Sequence, residues 1–127
     1  MFGYEIPYYY MNPYLFRATY RIAINTAART LTLYKDGKWF KSYPVGVGKP
    51  STPTPKGTFT IKNKAPHPGG VYEPRWMGLT APHIGIHGPV NPASIGKAMS
   101  DGCIRMHSKD IIELYSLVPV GTVVQIT

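Results

Sequence analysis

A mostly-β domain, a sandwich or barrel-like arrangement of short strands with one late helix, is what the 127-residue sequence predicts. Three observations carry that reading. Apolar residues recur with period two in several short runs, Gly, Pro, Asn and Asp turn signals separate those runs closely, and one stretch alone shows the period of an amphipathic helix. An alternating α/β sheet would need a helix between successive strands, and the pattern does not supply them.

Residues 1–18 form an arm distinct from the rest. Five of the ten tyrosines (Tyr4, Tyr8, Tyr9, Tyr10 and Tyr14) lie there beside Pro7 and Pro13. Packing of these rings over the domain is the expectation, with stacking on sugar rings as the alternative. The domain proper, 19–127, opens with Tyr20, Ile22 and Ile24 alternating with Arg21, Ala23 and Asn25, and continues with Leu31 and Leu33 between threonines. Each is the pattern of a half-buried strand. Asp36-Gly37 is the strongest hairpin signal in the chain, and the returning strand is expected over Lys38 to Val45. The run from Gly46 to Gly57 reads as loop, Thr58 to Lys62 as a strand, and Ala65 to Gly70 as a Pro/Gly turn region. Tyr72 to Thr80 reads as a strand interrupted at Pro74, and His83 to His87 as a short strand between prolines. Lys109 to Leu117 is the helix, with Ser108 as its N-cap and Ile111, Leu114, Tyr115 and Val118 on one face; Pro119 and Gly121 stop it. Thr122 to Thr127 is the final strand.

Composition narrows the function classes. The length fits one domain with a real core, and a single cysteine excludes an internal disulfide and a Cys-rich zinc site. With 14 Lys+Arg against 6 Asp+Glu, the formal charge of +8 points to anionic partners: nucleic acid, a membrane surface or an anionic wall polymer. No apolar run is long enough to span a membrane. The N-terminus lacks the basic start, apolar middle and cleavage site of a secretory signal.

The chemistry concentrates between Ile84 and Met106, IGIHGPVNPASIGKAMSDGCIRM. Cys103 follows Gly102 in a run of small residues, and His87 ends a strand sixteen positions earlier. A thiolate attacks carbonyl carbon, and an imidazole can take the thiol proton, so the pair supplies the minimum for thiol acyl transfer. Gly102 lets a substrate carbonyl approach, and the amides of Gly102 and Cys103 can donate to an oxyanion. Spacing alone leaves the bland readings open: a cysteine as a buried small hydrophobe, a histidine as a hydrogen-bonded strand-end residue. A metal site built from His83, His87, Cys103 and His107 is disfavoured, since His83 and His87 on one strand would stand roughly 13 Å apart, beyond a shared ion. GVGKPS lacks the spacing of a nucleotide-binding loop. Tyr72, Trp76, Met77 and Trp39 read as core before cleft wall, Ser94, Ser100 and Asn91 as loop-holding residues, His107 as structural and His67 as solvated.

The ordered combination Ile86-His87-Gly88, Asn91-Pro-Ala-Ser-Ile-Gly96 and Ser100-x-Gly102-Cys103-Ile104-Arg105-Met106 resembles the signature of the L,D-transpeptidase catalytic domain, the YkuD family. The resemblance takes in Thr52-Pro-Thr-Pro-Lys-Gly57, the helix after the cysteine and the closing strand, and covers about 19–127. It implies a sandwich of mixed β-sheets, with no metal or organic cofactor, acting on peptidoglycan stem peptides. Carried over residue by residue, it makes Cys103 the nucleophile, His87 the base oriented by the Gly88 carbonyl, the amides of Gly102 and Cys103 the oxyanion hole, and Arg105 and Ser100 substrate-binding residues. The implied reaction releases D-alanine from a donor stem and passes the acyl group to an acceptor amine; transfer to water would make an L,D-carboxypeptidase. Acylation of Cys103 by carbapenem-type inhibitors, and a cell-wall, extracytoplasmic or spore-associated setting, follow from the same resemblance. The chain has Asp101 where many members carry histidine. An inward carboxylate there would disfavour the thiolate, whereas one facing solvent or paired with Lys or Arg would cost little, so an impaired wall-binding domain stands as a second class. A nucleic-acid-binding barrel rests on charge and aromatic content alone, and nucleic acid is not the expected partner.

Overall fold

The structure, a computed structural model, describes residues 18–89 and 91–127. The tyrosine-rich arm up to residue 17 therefore lies outside the described residues, and its packing with it. Nine strands follow in order: β1 (Tyr20–Asn25), β2 (Thr30–Lys35), β3 (Lys38–Gly48), β4 (Gly57–Ala65), β5 (Trp76–Leu79), β6 (Gly85–His87), β7 (Ala98–Ser100), β8 (Ile104–Met106) and, after helix α1 (Ser108–Leu117), β9 (Val123–Ile126).

Hairpins at the start match the sequence pattern. Strands β1 and β2 pair antiparallel over their full length. Between β2 and β3 the two turn residues Asp36 and Gly37 both have positive φ, 53° and 81°, which suits the right-handed twist of the flanking strands. Ile22, Ile24, Leu31, Leu33 and Tyr43 are all fully or nearly fully buried, so the alternating residues do face one core.

The sheets are not a sandwich. The strand order is β2-β1-β9-β4-β5-β6-β8-β3-β7, and β2 also pairs with β3, so all strands except β7 close into one ring. The cause is the length of β3. Its first part pairs with β2, while Val45 and Gly46 pair with β8, and Val47 and Gly48 pair with β7. One strand thus belongs to both faces and seals them. Period-two burial is the same for a sandwich and a closed ring, which is why the sequence left these alternatives together. The "mixed" character holds: β1–β9, β6–β8 and β3–β7 are parallel, and the other pairs antiparallel.

Helix α1 packs Ile111 and Leu114 into the core. Its N-cap is His107, not Ser108: the His107 carbonyl accepts from the Asp110 and Ile111 amides, and no side chain caps the helix. At the other end Lys64 reaches from β4 and donates to the carbonyls of Tyr115 and Val118 at 2.6 and 2.7 Å. A cation there satisfies orphan carbonyls and complements the helix dipole. No helix of the described residues is long and apolar enough to cross a membrane.

Several local expectations shift. Tyr72 lies in a 3-10 turn (Gly70–Tyr72), and the strand after it begins only at Trp76. His83 sits in a turn at φ 63°, before β6 begins. Gly46 to Gly48 continue β3, and β7 and β8 occupy what read as a loop around the cysteine. Three residues are too few to display a period, so these strands exist by virtue of their neighbours.

Candidate active site

The ring brings the two ends of the motif side by side. Strands β6 and β8 are adjacent and parallel, with Ile86 opposite Ile104 and His87 opposite Arg105, while His87 faces Trp76 across the β5–β6 pair. Because Cys103 immediately precedes β8, the parallel register carries it to the flank of His87. The connection between the two strands is closed at its start by a tight contact: a Cβ on Gly88 would overlap the Glu73 carbonyl and stand 2.5 Å from Pro74. Only glycine lets the chain pass there.

His87 is buried. Its Nδ1 lies 2.5 Å from the Gly88 carbonyl oxygen. A carbonyl can only accept, so Nδ1 carries the proton and Nε2 is left with a free lone pair. The ring stacks on Trp76 at 6.0 Å between centroids and meets Tyr72 edge-on at 5.2 Å. Burial lowers the His87 pKa from its ordinary 6.5; the Gly88 carbonyl partly opposes that, and the Arg105 charge adds to it. The imidazole is therefore neutral at pH 7, as a base must be.

Cys103 is half-buried, with its thiol directed at the His83 carbonyl 3.7 Å away. Burial pushes its pKa up; the Gly85 amide and the Arg105 charge pull it back, and Asp101 adds a little to the rise. Imidazole lowered and thiol raised make a neutral resting pair, so proton transfer accompanies attack rather than preceding it.

Asp101 faces solvent. Its side chain is 84% exposed and pairs with Lys49 at 2.9 Å, which holds its carboxyl below the usual carboxylate range. Of the two cases open in the sequence, the structure shows the mild one.

Hydrogen bonds between side-chain hydroxyls and the backbone hold the cysteine loop. Buried Ser100 donates through Oγ to the Cys103 carbonyl at 2.6 Å and accepts from the Gly102 amide at 3.0 Å. Thr52 and Thr54 donate to the carbonyls of Ser100 and Gly102 at 3.0 and 2.8 Å. Gly102 holds φ 121°, a conformation open to glycine and rarely to other residues. One expectation needs correction as geometry: the Gly102 amide is committed to Ser100, so it is not a free oxyanion donor here. The Cys103 amide has no acceptor among the described residues. Ser100 itself lies in the loop-holding role, its hydroxyl engaged at both ends.

Val71, Tyr72, His87, Ser100, Asp101, Cys103 and Arg105 line a shared cleft of about 120 Å³. A larger concavity of about 340 Å³ near the end of α1 is lined by Lys64 and Ser116, both engaged with backbone carbonyls, and, among the described residues, by no cysteine or histidine. Arg105 lines the shared cleft, and its Nε is buried without a hydrogen-bond partner among the described residues. Tyr72 walls this site, Trp76 supports it by stacking on His87, Met77 is core, and Trp39 is 64% exposed on the β2–β3 hairpin. His67 is exposed beside Glu73, and no group of three or more His, Cys, Asp or Glu able to hold a metal occurs among the described residues. The roles of Thr52 and Thr54 were not assigned from sequence; two threonines alternating with prolines directly after a strand were the available signal.

Comparison with known proteins follows this geometry. A putative L,D-transpeptidase YkuD of Bacillus licheniformis is 54% identical over 108 residues, 85% of this chain and 66% of that protein. The chain thus spans just under two thirds of that curated relative. An L,D-transpeptidase structure from Mycobacterium smegmatis superposes with a TM-score of 0.76 at 26% identity, covering 87% of this chain and 59% of that one. L,D-transpeptidase 3 from Mycobacterium tuberculosis, solved in complex with a faropenem-derived adduct, gives 0.74 at 20% identity over 87% of this chain and 60% of its own, a likeness of fold alone. Residues 19–126 match the family of L,D-transpeptidase catalytic domains, YkuD, and the chain belongs to that family.

Proposed function

We propose that this chain is a peptidoglycan L,D-transpeptidase working through a Cys103 acyl-enzyme. The observation that carries the reading is the shared cleft, lined by a neutral, tautomer-fixed His87, the Cys103 thiol and Arg105.

In this mechanism His87 Nε2 takes the Cys103 proton as the sulfur attacks the carbonyl carbon of the donor stem's third residue. The tetrahedral oxyanion faces the Cys103 amide. Collapse expels D-alanine, whose amine receives the proton from His87, and leaves a thioester. The side-chain amine of an acceptor stem then attacks the thioester, His87 accepts its proton, and the regenerated thiolate recovers one. An amide cross-link is the product. Arg105, which lines the cleft, meets a substrate carboxylate through its guanidinium, and Gly88 keeps the imidazole in the productive tautomer. The amine and water compete for the thioester, so the balance of cross-linking and D-alanine removal depends on acceptor access. The substrate places the enzyme on the wall side of the cell membrane.

Incubation with a carbapenem followed by intact mass should give one covalent adduct, absent in Cys103→Ala. Muropeptide chromatography with an amine acceptor present should then show a cross-linked product. An unmodified native protein would overturn the nucleophile assignment, and tripeptide alone would make the enzyme a carboxypeptidase.

A further inference from the structure

A second concavity lies beside the active site, between the β1–β2 turn and the loop that leaves β3. Its volume is about 250 Å³, and Arg29, Lys49 and Lys56 line it over an apolar floor that includes Val47, Pro53 and Ala98. The β1–β2 turn contributes Arg29, and the β3–β4 loop contributes both lysines. Arg29 and Lys56 have no acidic partner among the described residues, and the sole carboxylate paired with Lys49 is Asp101. Arg29 also stands at φ 55°, the turn position where glycine or asparagine costs least. Its carbonyl accepts from the Val45 amide at 3.0 Å, which holds that backbone in place. A bulky cation therefore occupies a position that local propensity would give to a small residue, at the pocket rim.

We propose that this pocket binds phosphodiester groups of an anionic polymer. Arginine forks onto phosphate oxygens and the two lysines add point charges, while the apolar floor suits the carbon spacers between successive phosphates. Arg29 and Lys56 are exposed, so the charges stand on an open rim that a chain can cross rather than enclosing a small metabolite. Lys49 connects the two sites: it lines this pocket and grips Asp101, which lines the cysteine cleft. A polymer held here lies next to the cleft, which keeps the domain on a polyanionic surface while the cysteine remains free.

The test is amide NMR of the full chain titrated with poly(glycerol phosphate), inorganic phosphate and poly-glutamate at fixed ionic strength. Shifts confined to Thr26–Arg29 and Gly48–Lys56, saturating with the phosphate polymer and weaker by about tenfold or more in the double variant Arg29→Gly, Lys56→Gln, are the expected result. Arg29→Gly relieves the backbone, so loss of binding will not be loss of fold, and unchanged carbapenem acylation of the variant separates this site from the catalytic one. Equal affinity for poly-glutamate would replace phosphate by carboxylate as the ligand. Shifts spread over the whole basic surface, or undiminished binding by the variant, would overturn the pocket and leave only general charge attraction.

Discussion

The β1–β2–β9 wall of the ring rests on apolar burial, and the β6–β8 wall adds directed hydrogen bonds to it. In the first, Ile22, Ile24, Leu31, Leu33, Val124 and Ile126 alternate inward, and each is at most 2% exposed. Burial of that kind is non-directional and tolerates small shifts. In the second, strands of three residues frame a loop fixed by directed bonds: Ser100 to Gly102 and Cys103, Thr52 to Ser100, Thr54 to Gly102, and His87 to Gly88. Both walls bury apolar side chains, with Ile86, Ile104 and Met106 at 0% exposure in the second, but placement of the reacting groups belongs to the second. Mutations should separate the two.

The largest effect should come from Cys103→Ala. Acylation by a carbapenem should fall by at least about 10³-fold, with the thermal midpoint changed by no more than about 2 °C; a residual adduct would move the nucleophile elsewhere. The opposite partition is expected for Leu33→Ala, which opens a cavity in the hydrophobic wall. Denaturant unfolding should show a loss of about 2–5 kcal/mol while the acylation rate of the folded fraction stays near native.

Thr54→Val tests the clamp. Thr54 accepts from the Gly48 amide and donates to the Gly102 carbonyl, so the variant strands buried partners at a cost of about 1–3 kcal/mol. If the clamp positions the cysteine, the acylation rate should drop as well, and Thr54→Ser should restore both; a stability loss with an unaltered rate would reduce the threonine to a structural role.

Protonation should follow the shift of His87. Its pKa is lowered by burial, so the neutral base persists below pH 6.5, and acylation should decline only as pH falls through the depressed value. Stability has a matching sign: below 6.5 the unfolded imidazole binds a proton that the folded one refuses, so the thermal midpoint should decrease with acid, less steeply in His87→Gln. A rate profile with its acid limb at or above 6.5 would contradict the burial argument. The smallest change is expected for Lys49→Gln. The Asp101 side chain is solvated, so its release should alter Cys103 alkylation by less than about threefold and the difference should vanish in high salt.

The hairpins, the helix and the closing strand were legible because each displays its period over enough residues to be counted. Ring closure was not, since it depends on β3 pairing with β2 at one end and with β8 and β7 at the other, a partition that burial alternation does not encode. At the site the residue types pointed to thiol acyl transfer, but the spacing of His87 and Cys103 left it open; the ordered motif narrowed it. Hydrogen-bond partners remained hidden. That Ser100 occupies the Gly102 amide, or that Asp101 turns out to Lys49, depends on side-chain direction in a loop with no period at all.

Ring closure has a further consequence, for self-association. A sheet edge is a row of unpaired amides and carbonyls on which another chain can template, the usual route from β-rich sequence to fibre. Here the strand order closes on itself; among the described strands β7, three residues long, has a single partner, and the Lys38–Pro44 part of β3 pairs with β2 alone. Among the described residues, ring closure thus confines the edges on which a second copy could start to grow to short stretches such as these.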